Sequence, residues 1–239
     1  MNRFIRLVFV AILTALLASC AGVPKLPLRA EAKQSIKRIA LVETPEPKSY
    51  SMNPGSAPGG AALYAFGAIG GAILGGIEAS RAEAAATRFT EAVAPLKPAL
   101  ADTMLAQLEK GLIAKGYQVT RVPMPPKTED GKELDVTKIE GEFDAALFVS
   151  FAGGYSAASS DVVPNIFAVA SLYSRNGNEK LFNDRYLYGR NRFVKFTLIE
   201  PESKFSLASV DVMYGNISVA VDGMRSAVTQ IAERVLAEL

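Results

Sequence analysis

The sequence predicts an α/β (α+β) domain in which a four- or five-stranded mixed sheet carries two long helices on one face. Short apolar runs rich in branched side chains, at 38–43 and 143–152, are typical of strands that are buried on both faces. Two amphipathic segments, 99–115 and 216–239, are typical of helices with one apolar face. Helices of that kind cover a sheet, so these segments together predict the layered fold.

The composition indicates one domain over 35–239 and limits the kinds of catalytic or binding site that it can contain. Apolar residues make up 49% of the 239 residues, which is enough for a core. The chain has no histidine, which excludes a Ser-His-Asp site and histidine-ligated zinc. Residues 20–239 contain 24 basic and 24 acidic side chains, so a basic footprint for nucleic acid is missing. We therefore expect a non-enzymatic protein with no cofactor and no metal site.

The amino terminus has the three parts of a secretory signal peptide. Arg3 and Arg6 give it a basic start, 7–17 is an apolar stretch, and small residues follow. The stretch ends in Leu17-Ala18-Ser19-Cys20, which resembles the bacterial lipobox.

That resemblance implies a lipoprotein whose signal peptide, 1–19, is removed and whose Cys20 thiol is diacylated. Ala21 stands where an inner-membrane retention aspartate would be, which implies the outer membrane, on its periplasmic face. The alternative is a transmembrane helix with an incidental cysteine. Its apolar run of about 11 residues is well short of the ~20 that span a bilayer.

Residues 20–34 are predicted to form a lipidated tether, since Pro24, Pro27 and alternating charges leave too little apolar surface for order. The first strand, 38–43, ends before Pro45. A glycine- and alanine-rich insertion follows over 51–93.

Within the insertion, nineteen residues, 59–77, carry no charge, and Gly67, Gly71 and Gly75 repeat at four-residue spacing. On a helix these glycines share one groove, a glycine zipper, through which membrane helices approach closely. Nineteen residues at ~1.5 Å rise span about 28 Å, close to a hydrocarbon core. The segment is therefore a candidate for membrane insertion or self-association. The alternative is a loosely ordered apolar insertion, because its seven glycines disfavour a helix in water.

Helix 99–115 is expected to end at Gly116, in a left-handed cap. Strand 117–122 follows this crossover helix and is expected to pair parallel with the first strand. A polar loop with one helical turn after Asp135 leads to strand 143–152. The predicted apolar face of the helix consists of Met104, Leu105, Leu108, Leu112 and Ile113.

A hairpin is predicted over 165–188, because Asn176-Gly177 favours a two-residue type I′ turn. Counting back from the turn pairs Leu172 with Leu181 and Ile166 with Leu187. The segment before it, 153–161, is expected to be a flexible loop, and 193–198 is a candidate further strand.

The last helix, 216–239, is expected to pack against the sheet, and a coiled-coil seam is the alternative. Its apolar stripe consists of Ile217, Val221, Met224, Val228, Ile231 and Val235.

Two charged clusters are expected to be structural. The acidic run in 129–144 lacks the ligand spacing of a calcium loop and is read as a solvated loop. The second cluster is expected to decorate a sheet edge, and a site for an anionic partner is its alternative. It contains Asp184, Arg185, Arg190, Arg192 and Lys195. Tyr173, Tyr186 and Tyr188 are expected to pack across strands.

The order of elements resembles the α/β domain of the curli secretion channel lipoprotein family and of the amino-terminal domain of the periplasmic Tol-system propeller protein. The resemblance rests on Arg38-Ile-Ala-Leu-Val, on Lys115-Gly116-Tyr117 and on the strand 143–149. It implies a fold only, since such domains serve unrelated roles in the envelope.

These observations predict a lipid-anchored interaction or assembly module at the outer membrane. Its expected partners are the membrane, through Cys20, and an envelope protein or a second copy of the chain. A secretion or pore-type assembly, with 59–77 in the membrane, is one alternative. A periplasmic enzyme built on carboxylates, lysine, tyrosine or serine is the other.

Overall fold

The structure is a computed structural model that describes residues 25–53, 76–129, 131, 134–158, 161–175, 179–190 and 196–239. Its strands are β1 (Arg38–Val42), β2 (Ser51–Asn53), β3 (Gln118–Val122), β4 (Ala145–Ala158), β5 (Asp161–Ser174), β6 (Lys180–Tyr188) and β7 (Thr197–Ile199). Its α-helices are α1 (Ala30–Ser35), α2 (Gly76–Val93), α3 (Leu100–Ala114), α4 (Val210–Gly215) and α5 (Ile217–Glu238).

The strands form one mixed sheet in the order β3-β1-β4-β5-β6-β7, with β2 beside the second half of β4. β1 pairs parallel with β3, as predicted, and with β4. β4, β5 and β6 are antiparallel neighbours, and β7 is parallel to β6. The mixed α/β class is confirmed. The described sheet has seven strands instead of four or five. β2 is too short, at three residues, to be recognised from its pattern, and β7 overlaps the candidate strand 193–198 at its last two residues.

The main core lies between one face of the sheet and the helices. Leu41 and Leu147 on the sheet meet Leu108 of α3 and Phe89 of α2 in one buried cluster. The stripe of α5 is buried there from Val221 to Val235, which confirms its packing against the fold. Three long helices contribute to this layer and not two, because the alanine-rich stretch also forms a helix, α2.

A second, smaller core explains why β1 and β4 are buried on both faces. Ala40 and Phe148 point away from the helices and contact Val136 and Phe143 from the loop between β3 and β4. The predicted helical turn is present as a 3-10 turn over Val136–Lys138, and the Asp135 carboxylate accepts from the amide of Thr137. The polar loop thus covers this face of the sheet.

β4 continues to Ala158, so the loop predicted over 153–161 is wrong for its described part. Gly153 has a φ of 146°, which only glycine adopts readily, and a side chain there would overlap the backbone of Asn165. A side chain on Gly154 would overlap the carbonyl of Ser51. The two glycines therefore let β2 and β5 approach β4 closely, and they do not mark a loop.

The predicted hairpin is present, but its register changes near the turn. Tyr173 pairs with Lys180, as the turn predicts, whereas Leu172 pairs with Phe182 and Ile166 with Tyr188. The predicted pairs with Leu181 and Leu187 are therefore wrong, because a β-bulge adds one residue to β6.

Ile113 is a further correction, since its side chain is 55% exposed. It follows Leu112, which takes the inward position, and one helical step of about 100° turns Ile113 out of the core. Gly116 has the expected left-handed backbone, with a φ of 90°.

Candidate functional site

The predicted site residues lie outside the described part of the chain. Cys20 precedes Lys25, the first described residue. The glycines of the predicted zipper, Gly67, Gly71 and Gly75, fall within 54–75. Lipid attachment and membrane insertion therefore stay predictions, and the structure instead describes how the chain continues from the predicted anchor.

The chain joins the edge of the sheet as soon as it is described. Leu26 pairs antiparallel with Asn183 of β6, and each amide donates to the other carbonyl, at N···O distances of 2.8 and 2.9 Å. α1 follows, and Leu28 and Ile36 pack against the main core. From Lys25 onward the predicted tether is therefore ordered, contrary to expectation, because the sheet edge satisfies its backbone and the core takes its apolar side chains.

The carboxylate of Asp184 lies at the centre of this junction and is only 4% exposed. It accepts hydrogen bonds from the ammonium of Lys25 at 2.8 Å, the hydroxyl of Thr197 at 2.7 Å and the amide of Arg185 at 2.8 Å. Burial alone would raise the pKa of Asp184, but these donors outweigh it and hold the pKa below its ordinary value. Asp184 is therefore charged at neutral pH and attracts Lys25.

Lys25 also connects the amino-terminal segment to the end of α5. Its ammonium lies 2.8 Å from the carboxylate of Glu238. Burial would lower the pKa of Lys25, but the two carboxylates raise it above its ordinary value. One lysine thus joins β6, α5 and the segment that follows Cys20. We call the contacts of Lys25 and Leu26 with Asp184, Glu238 and Asn183 the amino-terminal clip.

Two further features, a buried hydrogen bond and a shallow groove, lie close to the residues of the clip. The hydroxyl of Ser171 donates to the side-chain oxygen of Asn183 at 2.8 Å, so this buried pair is satisfied inside the sheet. A shallow groove of about 420 Å³ lies between β7 and the last turns of α5. It is lined by Leu198, Ile199, Gln230, Glu233, Arg234 and Ala237.

Three carboxylates elsewhere in the domain have structural partners. Glu46 accepts from the amides of Leu100 and Ala101, at 3.0 and 2.7 Å, and so caps the start of α3. Glu202 accepts from Gln230 at 3.0 Å and pairs with Lys204 at 2.7 Å, connecting a loop to α5.

Asp161, at the start of β5, is the third. The hydroxyl of Ser206, followed by the guanidinium of Arg190, holds its pKa below the ordinary value. These contacts fasten the loop before α4 and the end of β6 to β5.

The two charged clusters are structural as far as they are described. In the acidic run, Asp135 caps a turn and Asp144 accepts from the amides of Lys37 and Arg38 at the start of β1. Among the described residues, no three carboxylate, cysteine or histidine side chains are placed to hold a metal ion.

Of the cluster near β6, Asp184 is buried in the clip, so the predicted decoration of a sheet edge is wrong for this residue, and Arg190 pairs with Asp161. The last two members, Arg192 and Lys195, fall in the undescribed range 191–195. Tyr186 and Tyr188 are fully buried, which confirms their packing role.

The clip could not be recognised in the sequence. Lys25 is 159 residues away from Asp184 along the chain, and it lies in a proline-containing stretch with no periodic pattern. The one available signal was Asp184 itself, an acidic side chain inside a hairpin strand whose same-face neighbours, Phe182 and Tyr186, are aromatic.

In the described ranges, no helix is both long and apolar enough to cross a membrane. A scan against protein-family models and a search of curated proteins both find no match for this chain.

Proposed function

We propose that this chain is a lipid-anchored protein of the outer membrane whose folded domain acts, without catalysis, as an interaction or assembly module. The observation that carries the proposal is the amino-terminal clip, which begins five residues after Cys20. Because the chain enters the sheet edge directly, an acyl anchor on Cys20 would present a folded domain at the membrane surface. Two or three acyl chains suffice for stable attachment, whereas one is marginal.

The use of polar side chains supports a role without catalysis. The carboxylates Glu46, Asp161 and Asp184 each hold elements of the fold together. The chain has no histidine, and its one thiol, at Cys20, would be consumed by lipid. A domain built in this way contributes surfaces and not a reaction centre, so its partner is an envelope protein or a second copy of the chain.

The test is metabolic labelling with an alkyne analogue of palmitate, followed by membrane fractionation. We expect the wild-type chain to be labelled and to fractionate with the outer membrane. Cys20→Ser should lose the label and at least tenfold of the membrane-bound fraction, because it removes the acylated thiol. Lys25→Ala is the matched control and should keep both, since it leaves the lipobox intact.

A wild-type chain without label, or a labelled Cys20→Ser variant, would contradict the anchor. Cross-linking in intact cells then separates the two kinds of partner by mass. A module is expected to give one discrete adduct, and a chain that yields none would contradict the interaction role.

A second candidate function is the oligomeric secretion or pore-type component in which 59–77 enters the membrane. The observation that favours it is the exposure of α2, which follows the glycine-rich segment. Its side chains are exposed or half-buried from Ser80 to Arg88, and burial begins at Phe89. The first half of the helix therefore offers a surface that a partner can reach.

A further inference from the structure

We propose that the amino-terminal clip orients the domain so that the β6–β7 edge of the sheet faces the lipid surface that holds Cys20. This inference rests on the proposed function. It adds a membrane-facing surface to it, and it identifies the first partner of that surface as the lipid bilayer.

The length of chain before the clip limits the distance. Five residues join Cys20 to Lys25, and a fully extended chain covers at most ~3.6 Å per residue, or about 18 Å in total. The clip therefore keeps Asp184 and its neighbours within about 18 Å of the anchored residue, plus the length of one lysine side chain.

The clip is strong enough to set an orientation because it combines three different contacts. The paired backbone bonds between Leu26 and Asn183 fix the direction of the segment. Breaking the ion pair with Asp184 would leave a buried carboxylate without its cation, which is unfavourable, so the pair stays formed. The third contact, with Glu238, fastens the segment to α5, so the segment, the sheet edge and the helix move together.

The two edges of the sheet are far enough apart for a fluorescence measurement to distinguish them. β7 and β3 are its outermost strands, and five strand spacings of ~4.8 Å place them about 24 Å apart. Leu198 on β7 and Met124, just after β3, are both partly exposed large side chains. A probe at Leu198 is expected to lie near the membrane, and one at Met124 to lie away from it.

Opening the clip would change the reach of the domain. If residues up to Ser35 were released, fifteen residues would separate Cys20 from the folded part, which at ~3.6 Å each is about 55 Å. The clipped state therefore confines the domain to partners in or on the same membrane, and the released state would extend its reach about threefold.

The experiment uses the acylated protein in lipid vesicles that contain a nitroxide-headgroup lipid, which quenches fluorescence at short range. Acylation leaves no native thiol free, so a fluorophore can be placed through Leu198→Cys or Met124→Cys. We expect quenching at position 198 to exceed that at 124 at least twofold. The double variant Lys25→Ala/Leu26→Pro removes both ion pairs and the amide that Leu26 donates to Asn183. It should release the segment and reduce the two values to within about 20% of each other.

Arg29→Ala is the matched control. It removes an exposed ion pair with Glu179 in the same segment but leaves the clip intact, so the difference between the two positions should persist. Thermal unfolding of each variant verifies that the domain stays folded.

Equal quenching at 198 and 124 in the otherwise wild-type chain would overturn the inference. A difference that survives in the double variant would overturn the role of the clip. Flotation of the vesicles separates this failure from that of the proposed function, because an unacylated chain would stay unbound and would give no quenching at either position.

Discussion

At the scale of single residues, the hydroxyl of Tyr155 is the least expected feature of the main core. Tyr155 is fully buried, and its hydroxyl has no hydrogen-bond partner among the described residues. Burial raises its pKa, so the phenol stays neutral. A side chain on Gly223 of α5 would overlap this hydroxyl, which explains why glycine is needed inside that helix.

We expect Tyr155→Phe to raise the free energy of unfolding by about 1 kcal/mol, because it removes a buried polar group without a partner. Gly223→Ala should lower it by about 1–3 kcal/mol, since overlap outweighs the gain in helix propensity. In the Tyr155→Phe background that loss should shrink, which a double-mutant cycle in urea measures.

Tyr188→Phe is the control for this pair. The hydroxyl of Tyr188 accepts from the amide of Glu202 at 3.0 Å, so its removal should cost about 0.5–1.5 kcal/mol. If both Tyr→Phe variants lost stability equally, the account of Tyr155 would be wrong.

At the scale of elements, the hairpin shows which strand pairings the sequence predicts and which it does not. The turn signal correctly predicts the pairing of Tyr173 with Lys180, because the pairing next to a turn depends on local geometry. Beyond it, the bulge places Phe182, Tyr186 and Tyr188 on the helix-facing side, where all three are fully buried. The predicted register placed Leu181 and Leu187 on that side instead and was equally apolar, so the apolar pattern alone does not distinguish the two registers.

The junction of the amino-terminal segment with β6 should make stability depend on acid. The pKa of Asp184 is lower in the folded protein than the ordinary value of about 3.9, so its stabilising effect is present above that pH. It is lost as the pH falls through the lowered value. Asp184→Asn should therefore reduce the free energy of unfolding by about 1–3 kcal/mol at pH 7, and by less at pH 3, where the unfolded chain is largely protonated at this position.

Urea denaturation at the two pH values measures this difference. Glu179→Gln changes an exposed carboxylate that pairs with Arg29, and it should alter stability by less than about 0.5 kcal/mol at both pH values. A loss in Asp184→Asn that is as large at pH 3 as at pH 7 would contradict the assignment.

At the scale of the whole molecule, long periodic segments and one parallel strand pairing were predictable, and contacts between segments without a pattern were not. The stripe of α5 and the parallel pairing of β1 with β3 follow from periodicity and from the crossover rule. The continuation of β4 through Gly153 was missed, because glycine is typical of loops unless a neighbouring backbone lies close to it. The clip was missed because its partners lie at opposite ends of the sequence.

The association state of the whole molecule tests the glycine-rich segment. If 59–77 forms a zipper, the chain without its signal peptide and lipid should self-associate or bind liposomes. Gly71→Leu should weaken that association at least tenfold, because it fills the groove shared with Gly67 and Gly75. Gly70→Leu is the matched control outside the four-residue repeat and should have a smaller effect.

Sedimentation and vesicle flotation measure the two forms of association. A chain that is monomeric and does not bind liposomes would contradict the hypothesis that 59–77 enters a membrane or self-associates. Equal effects of the substitutions at 70 and 71 would show that hydrophobicity, and not the groove, drives association.

The parallel centre of the sheet determines when this protein can fold. β1 has no neighbour close to it in sequence, because its residues pair with residues 80 and 106 positions downstream, Arg38 with Gln118 and Ile39 with Ala145. β4, β5 and β6 are consecutive antiparallel strands and can form early from local contacts. During synthesis or translocation from the amino terminus, the apolar strand β1 therefore stays unpaired until β3 emerges near the midpoint of the chain. The amino-terminal half is thus the part that most needs protection from aggregation before the carboxyl-terminal half arrives.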